Sequence, residues 1–81
     1  MSTEKIKLIW DFRGEDAAKI AEHHATHLEE FAKKENLSIQ IAGSKSIDSL
    51  SALAFVVVTR AEMPRVRDLL KPHRGELFQE N

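Results

Sequence analysis

The stretch Leu53-Ala54-Phe55-Val56-Val57-Val58 is apolar throughout, and from Phe55 onward every residue is β-branched or aromatic. Alternate side chains of a strand point to opposite sides of a sheet, so a run of this kind predicts a strand covered on both faces. Helices can supply one cover. The other must come from something else, and the rest of the chain has little to offer. Its 81 residues are enough for one domain, 1–81, at the small end of what folds unaided. Without cysteine there are no disulfide staples and no thiolate zinc site, which leaves oligomerisation as the usual aid to so small a domain.

Period-2 alternation marks a first strand over Ile6–Phe12, with Ile6, Leu8, Trp10 and Phe12 on one face and Lys7, Ile9 and Asp11 on the other. Arg13-Gly14 turns the chain, and Glu15 and Asp16 put acid where a helix N-terminus favours it. A helix follows to about Glu35, and its apolar sector holds Ala17, Ile20, Ala21, His24, Leu28, Phe31 and Ala32. Asn36 is the expected left-handed stop. Leu37, Ile39 and Ile41 alternate with polar or small residues as a second strand, and Gly43–Ser51 reads as a hairpin connection, with the alternative that Ile47 prolongs the strand beyond a bulge at Gly43. A second helix over Ala61–Lys71 carries Met63, Val66, Leu69 and Leu70 inward, with Pro64 tolerated in its first turn. Pro72 ends it, and Glu76–Gln79 is a short last strand.

The order β-α-β-β-α-β predicts an α+β, ferredoxin-like sandwich: a four-stranded antiparallel sheet with two helices on one face. The other face is left open. If Trp10 and Val57 face the helices, then Ile9, Val56 and Val58 are wet in a single copy, which predicts a homodimer through the open sheet faces. A net charge of −1 gives no general attraction for nucleic acid or anionic membrane. No apolar run reaches the roughly 20 residues that span a bilayer, and Met1–Lys5 is polar, so a cytoplasmic location without signal peptide is expected.

Three groupings of side chains could carry chemistry. His23, His24 and His27 crowd one turn of the first helix, with His24 toward the apolar centre. An imidazole there can move a proton near neutral pH, so His24 and His27 are the catalytic candidates, and Trp10, His24, His27 and His73 the candidate lining of a ligand pocket between first helix and sheet. His23 and His27 stand four apart and could share a metal, but a third ligand would have to come from Asp11, His73 or another chain. No metal and no cofactor is expected. Asp11 and Arg13 close the first strand as an expected ion pair, and Arg13 is the candidate for holding an anion beside the helix N-terminus. Lys71-Pro72-His73-Arg74 puts cations at a helix C-terminus, where they are favoured, and His73 or Arg74 could line a pocket mouth. Between Arg60 and Arg74 the cations Arg60, Arg65, Arg67, Lys71 and Arg74 face only Glu62 and Asp68, but no exposed aromatics interleave them, so nucleic-acid binding is not expected.

Along Thr26–Gly43, the His27-Leu28 pair on the first helix leads to a strand ending in Ala42-Gly43. That arrangement resembles YCII-related proteins, and the whole plan is similar to the dimeric α+β barrel group, which also includes muconolactone isomerase-like proteins. The resemblance implies two sheets packed into a shared barrel, a cavity between sheet and helices, and a pocket histidine with an aspartate partner, for which His27 is the matching position. Three functions follow as expectations. The first is a homodimeric domain with a small-molecule pocket. The second is a cofactor-free enzyme in which a first-helix histidine transfers a proton on a small organic acid or ketone. The third is a protein-interaction module.

Overall fold

Alternating apolar residues in the first strand meet a second apolar strand, and the computed structural model, which describes residues 4–78, builds one sheet around that pair. The elements are β1 (Lys5–Arg13), α1 (Ala17–Lys34), β2 (Ile41–Asp48), β3 (Ser51–Thr59), α2 (Met63–Leu70) and β4 (Arg74–Phe78). Neighbouring strands are antiparallel, in the order β2-β3-β1-β4. The domain is therefore α+β, with a four-stranded antiparallel sheet and two helices. Both helices join one core: Ala21, Leu28 and Val66 pack with Leu8, Trp10, Ala54 and Val56.

Val56 and Val58, expected away from the helices, instead face them. In the register Val56 lies opposite Leu8 and Val58 opposite Ile6, while Phe55 pairs with Ile9 on the other face. An unbroken apolar run carries no alternation of its own, so only its pairing with β1 fixes which side chains point inward. The open face thus carries Ile9, Leu53, Phe55 and Val57. Ile9 is 1% and Val57 0% exposed although both helices lie on the opposite side. Side chains of the same chain lie over this face: Lys7 holds its ammonium 4.5 Å from the centre of the Phe55 ring, and Arg74 reaches across to Asp11. Ile9 and Val57 are buried within one chain, while Phe55 on the same face stays half-buried.

Helix α1 turns a stripe of small residues to the sheet: Ala17, Ala21, Ala25 and Ala32 are buried, with Leu28. Four-residue spacing keeps them on one face, and their size lets the helix approach Ala52 and Ala54 of β3 closely. Ile20, expected in this sector, is at its margin and half exposed. Asn36 ends the helix at φ 54°, as expected. Its amide donates to Lys33 O at 3.1 Å and that of Leu37 to Ala32 O at 3.0 Å, which satisfies carbonyls the helix leaves open.

Leu37 is buried as part of this stop, not as strand, and β2 starts at Ile41 rather than Leu37. The strand then continues through the segment expected as a hairpin connection, leaving Ser49 and Leu50 as the turn. The irregularity falls at Ile47, between the pairs Ser46–Ala52 and Asp48–Ser51, and not at Gly43. Gly43 pairs regularly with Phe55. A Cβ there would come 3.1 Å from Phe55 Cζ, so its absence makes room for the ring.

Helix α2 is shorter than expected, and Leu69 is exposed rather than buried. Pro64 does fall in its first turn. Strand β4 begins at Arg74 instead of Glu76, while Gln79, its expected end, lies outside the described residues. Among the described residues no helix is long and apolar enough to cross a membrane.

Candidate functional site

The last carbonyls of a helix lack partners of their own, and Trp10 supplies one for α2. Its indole Nε1–H donates to Leu70 O at 3.0 Å. Lys71 then turns left-handed at φ 50°, Pro72 cannot continue the helix, and the His73 amide donates to Ile9 O at 2.9 Å. That turn lays His73 and Arg74 beside β1.

The main-chain amide of Asp11 donates to His73 Nδ1 at 2.8 Å. A ring nitrogen that accepts a hydrogen carries none, so the His73 proton sits on Nε2. The Asp11 carboxylate takes Arg74 Nε at 2.9 Å and Nη2 at 3.1 Å, a two-point pair. Hydrogen bonding from Arg74 holds the Asp11 carboxyl below its ordinary value, and Asp11 in turn raises the guanidinium. The partner of Asp11 is thus Arg74 of the neighbouring strand β4, not Arg13. Arg74 lies opposite Ile9 on the adjacent strand, one diagonal step from Asp11 on the same face, within reach of its long side chain.

A cleft of ≈ 470 Å³ opens between α2, β1 and β4. It exists because α2 has only 8 residues and buries Val66 alone, too little to cover the β1–β4 side of the sheet. Ile6, Leu8 and Leu77 on the sheet and Met63 on α2 give the apolar lining, and Arg67 and His73 bring polar groups to it. Gly75 lies opposite Leu8, and a Cβ there would stand 3.3 Å from Leu8 Cδ2. A side chain at this position would grow into the cleft. The volume is within the range of sites for small molecules.

A smaller cleft of ≈ 240 Å³ lies between Asp11, Arg13, Ile47 and Leu53, with Arg74 at its border. Arg13, the anion candidate, lines it. Its charge acts weakly on Asp11 and Asp48, which stand nearby.

The α1 histidines sit apart from both clefts. His24 packs edge-on to Trp10, with ring centres 5.0 Å apart, and to Phe12 at 5.6 Å. Its Nε2 is buried without a partner among the described residues. Burial pushes the ring below its ordinary value, and the charges of His27, His73 and His23 add to the shift. Trp10 and His24 therefore meet, but as packing partners, and neither lines the larger or the smaller cleft. His23 and His27 face each other on the exposed side, Nε2 to Nε2 at 3.0 Å, and His27 Nδ1 lies 3.4 Å from Glu30. Among the described residues no group of three or more His, Cys, Asp and Glu converges as a metal site.

Of the expected pocket residues, His73 lines the larger cleft, as does Arg74, which the sequence offered for a pocket mouth, while Trp10, His24 and His27 do not. Arg67, Met63, Gly75 and Leu77 come from α2 and β4, and only the fold gathers them into one cleft. No known protein family, no curated protein and no solved structure matches this chain.

Proposed function

We propose that this protein is a cytoplasmic small-molecule-binding domain whose site is the cleft between α2, β1 and β4. The observation that carries the reading is a largely apolar cleft kept open by Gly75, with Arg67 and His73 among its polar groups and the Arg74–Glu76 pair at its border. Sites for small ligands combine these features: a mostly apolar lining and a few placed polar groups. Binding is preferred over proton transfer by His24 or His27, because neither ring lines the cleft.

The element order and the sheet order β2-β3-β1-β4 support reading the domain as ferredoxin-like. Kinship with the dimeric α+β barrel group and pairing of two copies through the open sheet face belong to the same proposal. Half-buried Phe55 and partly exposed Ile41 are apolar groups such pairing would cover. Sedimentation of the 9.2 kDa chain at increasing concentration tests it: a doubled mass supports the pair, and a single-chain mass throughout removes it.

The binding reading is tested by ligand-detected NMR with a set of small apolar compounds on the native chain and on Gly75→Leu. Compounds that bind the native chain are expected to lose binding to the folded variant. Equal binding to both would place the site elsewhere.

A further inference from the structure

We infer that the ligand of the α2–β4 cleft is a carboxylic acid with a short apolar chain, bound as a monoanion through Arg67 and the Nε2–H of His73; this rests on the reading of the cleft as a binding site. The apolar part of the lining, Ile6, Leu8, Met63 and Leu77, suits an aliphatic chain. Apart from the His73 imidazole, no aromatic ring lines the cleft, so a nucleobase has no platform to stack on.

The charge available sets the head group. Arg74 borders the cleft, but its guanidinium is engaged by both Asp11 oxygens and lies 3.6 Å from Glu76. Glu76 also borders the cleft, and that contact offsets its charge locally. Arg67 is different. Its Nε rests 3.3 Å from Asp68 on the exposed side, and its terminal nitrogens have no partner among the described residues. They form the end of a planar fork that a carboxylate can accept at two points. His73 adds a hydrogen-bond donor whose position is fixed, because its other nitrogen is held by the Asp11 amide. One guanidinium whose terminal nitrogens have no partner among the described residues and one N–H donor fit one negative charge. A phosphate dianion or a diacid would lack a second cation, and an amine would meet like charge.

The experiment compares hexanoate, hexan-1-ol and hexylamine on the native chain by methyl NMR at Leu8, Leu77 and Met63. Hexanoate should bind about tenfold more tightly than the alcohol, the size of effect expected from charge-assisted hydrogen bonds, with the amine weakest. Arg67→Met should bring hexanoate down to the level of the alcohol while leaving alcohol binding unchanged. Equal affinity of acid and alcohol for the native chain would overturn the carboxylate assignment and leave the cleft as a site. If none of the three moved these methyls, the binding reading would fall, and this inference with it.

Discussion

The main-chain amide of Asp11 donates to Nδ1 of His73 at 2.8 Å, and in the reverse direction along the chain the His73 amide donates to Ile9 O at 2.9 Å. The loop after α2 is thereby tied to β1 on both sides of Trp10, and the imidazole is held in one tautomer. Nitrogen-15 spectra should show His73 Nδ1 without a proton and Nε2 with one. Replacing His73 by Phe keeps a ring but removes the acceptor. The loss should be about 1 kcal/mol, read as a melting temperature lower by about 4–8 °C for a domain of this size. An unchanged melting curve would mean that the bond contributes nothing.

Arg74 makes the Asp11 carboxyl more acidic in the folded chain than in the unfolded one. The sign follows from linkage. The contribution is complete above the ordinary Asp value of 3.8 and disappears as pH falls through the lower folded value. Asp11→Asn should therefore be less stable than the native chain at pH 7, with a smaller difference at pH 3. The two side chains are 41% and 48% exposed, so solvent screens the pair and the difference at pH 7 should be small. Urea midpoints at the two pH values check it.

His24 has the opposite acid dependence from a histidine stabilised by a carboxylate. Burial lowers its ring below the ordinary 6.5, so between the folded and unfolded values the unfolded chain binds the proton. Stability is complete above pH 6.5 and declines as pH falls below it. His24→Leu removes a buried nitrogen without a partner and should be neutral, or more stable by about 1 kcal/mol, at pH 7. It should also lose this part of the acid sensitivity. A variant clearly less stable at pH 7 would show that the ring has a partner that matters.

Trp10→Phe should destabilise by about 2 kcal/mol, from the lost bond to Leu70 O and the volume left beside His24. Because the freed carbonyl is in the last turn of α2, amide exchange should quicken there before it does in α1. Uniform exchange changes across both helices would argue against a local anchor.

The sequence was informative where local chemistry decides the outcome. Alternation in Ile6–Phe12, the left-handed stop at Asn36 and Pro64 in a first turn each have a cause within a few residues, and the fold follows them. It was uninformative where parity depends on a partner. Leu53–Val58 is apolar at every position, so the assignment of Val56 and Val57 to faces needed the pairing with β1. Leu37 imitated the first residue of a strand because it continues the alternation of Ile39 and Ile41, yet it packs as the residue after the helix stop. The cleft is harder still to read from sequence. Its residues come from three elements, and the space arises from what α2 is too short to cover.

Whether the α2–β4 cleft is a binding site is decided by methyl and imidazole NMR of the native chain in saturating hexanoate. The expected result is movement of Leu8, Leu77, Met63 and the His73 ring, with Leu53 and Val57 on the opposite face unchanged. Movement centred on Leu53 and Val57, or none at all, would contradict it.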